Sequence, residues 1–233
     1  MPRLDKFFFD SLIWEPVPYS IHTIYRYIFK VWRRRRFALF LTLMKPGPSD
    51  IVLDVGGFPG FWTLAPQPVK RIDTLNVHEV YWDGKQAPNH NIKTLVGDGC
   101  SLAMPDQSYD IAFSNSVIEH VGSWERQRQF AKEIRRVGLR IWVQTPAYEC
   151  PIEPHYLAPF VHYFPRSFQK KFVRWCTVWG WIERPDRDQV NSMVETTRLL
   201  RKSEMRKLFP DCELITERMF WVIPKSYIVI RRV

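Results

Sequence analysis

The sequence predicts an α/β domain built on a mainly parallel sheet that closes with an antiparallel hairpin. Three observations predict it. Short, nearly all-apolar runs recur along the chain, glycine-rich or polar turns follow them, and the last two runs are joined by only three residues. A chain of 233 residues, 45% hydrophobic and 25% charged, is long enough for one such domain and is not disordered in bulk.

The elements follow in order. From Pro16 to Ser49 there is no acidic residue, while Arg26, Lys30, Arg33 to Arg36 and Lys45 supply seven positive charges. Ile21, Ile24, Ile28 and Trp32, then Phe37, Phe40, Leu41 and Met44, recur every three or four residues. This spacing predicts one or two amphipathic helices, opened by Ser20 as N-cap and closed by Pro46-Gly47-Pro48. Residues 1–45 are therefore read as a basic helical extension and 46–233 as the main domain. Ile51–Val55 is the first strand, apolar throughout except Asp54, as a strand buried on both faces requires. Ile72–Val77, Ile92–Val96, Tyr109–Ser114 and Arg140–Gln144 are the next. Between the last two, Ser123 caps a helix whose apolar face is Trp124, Ala131, Ile134 and Val137, and Gly138 ends it. Strands alternating with helices give parallel pairing with right-handed crossovers.

The remainder departs from that rhythm. Pro151–Ile182 is neither strand nor simple helix by pattern and holds nine aromatic residues, so residues 151–182 are read as an insertion covering the ligand-binding end of the sheet. The same aromatics could equally form a minor core. Ser203–Phe209 reads as a short helix. Leu214–Ile223 and Tyr227–Ile230 are strands joined by Pro224-Lys225-Ser226, which permits only an antiparallel pair.

Composition narrows the function classes. A net charge of +10 suits an anionic partner. Cys100, Cys150, Cys176 and Cys212 are far apart with no CxxC pair, which argues against a zinc module or a disulfide framework and for a reducing, cytoplasmic compartment. Asp5, Lys6, Asp10 and Glu15 interrupt any signal-peptide run, and Phe37–Met44 is too short to span a bilayer. The basic helix is read first as a solvated face packing its apolar stripe on the domain. An anionic membrane surface contacted through residues 20–45 is the second reading. Nucleic acid is disfavoured, since no recognition motif accompanies the charge.

The chemistry concentrates at two turns. The first strand leads into Asp54-Val55-Gly56-Gly57-Phe58-Pro59-Gly60, a turn whose backbone can approach a nucleotide closely. Phe58 and Phe61 break the dinucleotide-binding glycine spacing. Asp98, in Gly97-Asp98-Gly99-Cys100, follows the third strand and can accept from an adenine amino group. The fourth strand breaks into Asn115, Ser116, Glu119 and His120 at its carboxyl end, where open α/β sheets bind ligands.

Val52-Leu53-Asp54-Val55-Gly56, Gly97-Asp98-Gly99 and above all Tyr109–Val121 resemble class I S-adenosylmethionine-dependent methyltransferases of the small-molecule type-11 group. Val143-Gln144-Thr145-Pro146 and Leu208-Phe209-Pro210 extend the resemblance over about residues 46–233. It implies a Rossmann-like, seven-stranded, mostly parallel sheet with an antiparallel C-terminal strand and helices on both faces. It also implies that Gly56, Gly57, Phe58 and Gly60 wrap the methionine part of the cofactor, with Asp54 near its amino group. Asp98, Gly99 and Cys100 would face adenine, and Ser114 and Asn115 the sulfonium. Two positions depart from the family. Phe58 replaces its central glycine, and Asn76 stands where an acidic residue grips the ribose, which removes charge assistance.

His120 is the candidate base for O-methylation of a small or lipid-linked acceptor, because an imidazole titrates near neutral pH. The competing reading makes Glu119 and His120 a local helix cap. His155, in Ile152-Glu153-Pro154-His155, can reach the same cleft or serve structure alone, whereas His22 and His162 are read as structural. Glu119-His120 also resembles part of the metal-holding Glu-x-x-Glu-His run of ubiquinone-pathway O-methyltransferases. Ser116 replaces its first Glu, so no metal site is expected. A binding protein with a degenerate cofactor site is the alternative function, motivated by Phe58 and Asn76. A nicotinamide-dependent oxidoreductase is disfavoured by the glycine spacing and the hairpin.

Overall fold

The structure is a computed structural model that describes residues 21–85 and 87–232, with side chains from Trp32 onward. Ser20 and the side chains of Ile21, Ile24 and Ile28 lie outside the described residues. One helix, α1 (Ile21–Met44), covers the predicted amphipathic stretch. Then come β1 (Ile51–Val55), the single turn α2 (Pro59–Trp62), β2 (Arg71–Asn76), β3 (Ile92–Val96) and β4 (Tyr109–Asn115). A 3₁₀ turn (Ile118–His120) precedes α3 (Trp124–Val137) and β5 (Gly138–Pro146). Ser123 caps α3 by accepting from the Arg126 amide, as expected.

The seven-stranded sheet runs β3-β2-β1-β4-β5-β9-β8, where β8 is Glu213–Met219 and β9 is Ile223–Arg231. β1 to β5 pair in parallel, and β9 runs antiparallel to both β5 and β8. The hairpin turn lies at Phe220–Val222, upstream of the predicted Pro224-Lys225-Ser226. Phe220 and Trp221 adopt left-handed backbone there, with φ of +50° and +66°. Pro224 sits inside β9 instead. It is tolerated because β9 meets β5 only from Ser226 onward, so no ladder donor is needed on that side.

Alternation along the strands sends side chains to two cores. Leu53, Val55, Ala112 and Val143 meet α3 (Phe130, Ile134) and α7 (Lys202–Leu208; Met205) on one face. On the other face Val52, Ile72, Phe113 and Trp142 meet the second half of α1. Phe40 of α1 is fully buried, edge-on to Trp62, Phe113 and Trp142 at 5.8, 5.1 and 5.5 Å. Residues 32–44 thus complete the sheet's core.

The insertion is more regular than its pattern suggested. A two-stranded ribbon, β6 (Ile152–Glu153) with β7 (Ala158–Pro159), leads into helices α4 (Arg166–Cys176), α5 (Val178–Glu183) and α6 (Arg187–Thr196). Tyr156, Val161, Val173, Trp179, Val190 and Val194 give this unit its own small core. The α4 stripe was hidden because its outer face carries Phe168, Phe172 and Trp175, so both faces are apolar or aromatic. No helix among the described residues is long and apolar enough to cross a membrane.

Arg36 is the buried member of the four-arginine run. Its guanidinium donates to Asn115 Oδ1 (3.0 Å), Gln144 Oε1 (2.9 Å) and Glu217 Oε2 (2.8 Å), tying α1 to β4, β5 and β8. Burial alone would raise the Glu217 carboxyl, but Arg36 outweighs it and holds it below the usual value. Removing one partner strands the other charge, so Arg36→Ala should cost about 3–5 kcal/mol in denaturant unfolding, whereas Arg34→Ala, on the exposed side, should cost under about 0.5 kcal/mol. Equal effects would show that Arg36 does not anchor the helix.

Candidate active site

The turn after β1 is shaped by a buried carboxylate. Asp54 is 1% exposed, and Trp62 Nε1 of α2 donates to its Oδ2 at 2.8 Å. The backbone of Gly57 passes so close above that a Cβ there would lie 1.7 Å from Oδ2, which no side chain could tolerate. Gly56 turns the chain with φ +75°. Burial pushes the Asp54 carboxyl up to about 7, and the Trp62 hydrogen bond offsets only part of that.

Two oxygens at this turn are buried and accept no hydrogen bond: Asp54 Oδ1 and Asn76 Oδ1. Asn76 ends β2, and its Nδ2 donates to the Gly57 carbonyl at 2.8 Å, which orients the amide and leaves Oδ1 without a donor. Leaving an acceptor unsatisfied is costly, so both positions suit a ligand rich in donors. An amino group at Asp54 and a ribose hydroxyl at Asn76 would supply them, and the residues therefore fit the cofactor implied by the sequence.

The other predicted cofactor residues are spread around this turn. Phe58 is half-buried, extended, and precedes α2, while the ring that joins the aromatic core is that of Phe61, 5.5 Å from Phe113. Gly60 lies in α2, its carbonyl accepting from Thr63 Oγ1. Asp98 pairs with Arg126 at 2.9 Å and accepts from the Cys100 amide. Gly99 packs inward, where a Cβ would meet Val55 at 2.7 Å and Phe130 at 2.9 Å. Cys100 is buried with its thiol toward the Arg126 carbonyl. Ser114 is fully buried and donates to the Val55 carbonyl, a suture between β4 and β1, and Asn115 receives Arg36.

The turn after β4 reaches the glycines directly, since a Cβ on Gly56 would lie 2.5 Å from the Val117 methyls. Ser116 is left-handed (φ +59°), held by Gln144 through its hydroxyl at 2.9 Å and its amide at 2.9 Å. The 3₁₀ turn that follows presents Glu119 and His120. The β6–β7 ribbon brings His155 alongside, with Nε2 of the two rings 3.0 Å apart and the rings perpendicular. Glu153 Oε1 holds His155 Nδ1 at 2.6 Å, and the Tyr156 amide fixes Glu153 Oε2 at 2.7 Å.

Both candidate histidines thus meet, and Glu153 joins them. Sequence reasoning passed over Glu153, although its spacing two residues before His155 was the available signal. Burial and the neighbouring His155 lower the His120 imidazole well below its usual value. For His155 burial acts downward, but the carboxylates of Glu153 and Glu119 outweigh it and raise the ring. Burial raises the Glu119 carboxyl to about 7.

A parallel sheet closed by an antiparallel strand, with a glycine turn over a buried Asp after β1, is the architecture that the sequence resemblance to class I S-adenosylmethionine-dependent methyltransferases implies. Residues 53–139 match the family described as "Methyltransferase domain". No curated protein matches the chain. Among solved structures, one from Rhodobacter sphaeroides titled as putative zinc-dependent alcohol dehydrogenases is 12% identical, with a TM-score of 0.56 over 84% of this chain and 88% of that one. A protein from Pyrococcus horikoshii is 14% identical, with a TM-score of 0.51 over 87% and 89%. The putative methyltransferase of Haloferax volcanii, solved with its activator Trm112, is 13% identical, with a TM-score of 0.50 over 85% and 88%. At these identities the likeness is one of fold.

The Asp54 carboxyl has a raised value in the folded chain, so its stabilising contribution is full below about pH 4 and declines as pH rises through about 7. Asp54→Asn should therefore remove part of the pH dependence of the unliganded chain's thermal stability. The variant should gain relative to wild type between pH 5 and 8, and parallel melting curves for the two proteins over that range would refute the assignment.

Proposed function

We propose that this chain transfers the methyl group of S-adenosylmethionine to a hydroxyl of a small or lipid-linked acceptor. The observation that carries the reading is the Glu153–His155–His120 line, which abuts the glycine turn through Val117. When bound, the cofactor supplies an electrophilic methyl on its sulfonium. Asp54 Oδ1 would hold its amino group, and Asn76 Oδ1 one ribose hydroxyl. His155 donates Nδ1–H to Glu153, which leaves His155 Nε2 to accept Nε2–H of His120. His120 Nδ1 is then the nitrogen without a proton, and it takes the acceptor's hydroxyl proton as the oxygen attacks. Glu153 steadies the positive charge that this places on the pair. The family fold holds reactants in line, which accounts for most of the acceleration such a reaction needs.

The insertion supports the acceptor class. A hollow of about 350 Å³ beside Glu153 is lined in part by Tyr148, His162, Arg166 and Arg201, room for a small polar acceptor group. Phe168, Phe172 and Trp175 on the outer face of α4, with Phe164 just before the helix, are 39–67% exposed. The rings of Phe164 and Phe168 lie 4.8 Å apart, and those of Phe168 and Phe172 4.0 Å apart. With Arg166, Lys171 and Arg174 on the same helix, this surface suits an anionic membrane bearing the acceptor, and the basic composition of residues 20–45 favours the same class of partner. All four cysteines are unbridged, which favours a reducing, cytoplasmic setting.

Calorimetric titration should show binding of S-adenosylmethionine and its demethylated product, and no heat at millimolar ligand would reject the reading. With methyl-labelled cofactor and a cell extract as acceptor source, His120→Ala should lower label transfer about 10²-fold or more at unchanged cofactor affinity. Near-normal transfer would return His120 to a structural role. The full chain should sediment with anionic phospholipid vesicles but not zwitterionic ones, and joint Phe172→Ser and Trp175→Ser substitution should cut that severalfold. Undiminished sedimentation would move the contact off α4.

A further inference from the structure

We propose that Glu119, His120 and His155 form a binding site for one divalent first-row transition-metal ion. Their ligand atoms all lie within 4.8 Å of one another, although the residues come from two separated segments. The two Nε2 atoms are 3.0 Å apart, and an ion about 2.1 Å from each would bridge them at an angle near ~90°, as two adjacent ligands of one centre. Glu119 is fully buried, and its Oε1 accepts no hydrogen bond, whereas Thr145 Oγ1 donates to Oε2 at 2.9 Å. One oxygen is therefore held, and the other has no hydrogen-bond donor among the described residues.

The surroundings are those that orient metal ligands. Glu153 accepts from His155 Nδ1, which fixes the ring and turns its Nε2 toward His120 Nε2, and the Tyr156 amide fixes Glu153 in turn. Two imidazoles and one carboxylate suit Zn²⁺, Mn²⁺, Fe²⁺ or Co²⁺ rather than Ca²⁺, which prefers an all-oxygen shell. Three protein ligands leave coordination positions open for solvent or an acceptor oxygen, and His120 is the half-buried member of the three. The ion replaces the proton otherwise shared between the two nitrogens, and that proton passes to His120 Nδ1 or to solvent. The catalytic consequence rests on the methyl-transfer reading: the ion binds the acceptor oxygen and lowers the pKa of its hydroxyl, so activation passes from His120 to the metal. Ion binding itself does not depend on that reading.

The test is titration of the chelator-stripped, full-length chain with Co²⁺, followed by visible absorption, and with Zn²⁺, followed by calorimetry. About one ion per chain is expected, with affinity reduced roughly 10²-fold or more by His155→Ala or Glu119→Gln and 10–100-fold by Glu153→Gln. Circular dichroism checks each variant, and Glu119→Gln, which keeps the side chain's shape, carries the test if His155→Ala does not fold. Absence of saturable binding at millimolar Co²⁺, or equal binding by wild type and the folded variants, overturns the proposal. Titrating S-adenosylmethionine into the metal-free chain separates the two claims. Cofactor binding without metal binding sinks only the ion site, and metal binding without cofactor binding sinks only methyl transfer.

Discussion

A carboxylate buried beneath a glycine, with no cation beside it among the described residues, sets the geometry of the turn after β1. Asp54 stands at the one polar position of an otherwise apolar strand, and its charge is disfavoured where it sits. The fold tolerates it by one indole hydrogen bond from Trp62, whose ring is itself locked among Phe37, Phe40 and Phe113. The same carboxylate forbids any side chain at residue 57. Strand, glycine turn and aromatic core are thus mutually dependent, and helix α1 is drawn into that dependence through Phe40 and Arg36. What remains unsatisfied is one acceptor on Asp54 and one on Asn76, both beside the backbone that a nucleoside ligand would approach.

The second polar group follows a different logic. Glu153, His155 and His120 are aligned by hydrogen bonds from two chain segments, and Glu119 is pinned beside them by Thr145 of β5. The β6–β7 ribbon exists to deliver His155 there, since Pro151 and the ribbon's two short strands return the chain over the 3₁₀ turn after β4. Whether a proton or a metal ion occupies the space between the imidazoles, the proposed chemistry is the same in kind: an acceptor oxygen would be made more nucleophilic beside the turn proposed to hold the methyl donor.

Much of this was legible in the residues. Strands β1 to β5 were marked by short apolar runs within a residue or two, because the parallel strands inside the sheet are buried on both faces; β3, at the edge and half-exposed, was marked by Ile92, Leu95 and Val96. The antiparallel ending followed from loop length alone, although the turn itself fell at Phe220–Val222. Nothing in the local sequence announces that two bulky aromatics will take left-handed backbone. Helix α4 was missed because its solvent face is as aromatic as its buried face, which erases the periodicity on which such readings depend. The role of Arg36 was invisible for a related reason: four identical residues in a row do not say which one faces inward. Pairing His120 with His155 required the ribbon's path, a matter of tertiary structure. The individual residues stood out by type, and Asp98 and Ser114 show the converse, since each has a protein partner that the pattern could not foretell.

The most direct measurement is a crystal structure of the chain with the demethylated cofactor, S-adenosylhomocysteine. The account predicts density along the turn after β1, with the ligand's amino group on Asp54 Oδ1 and a ribose hydroxyl on Asn76 Oδ1. A ligand bound elsewhere, or a turn in which both oxygens stay without a donor at saturating ligand, would contradict it.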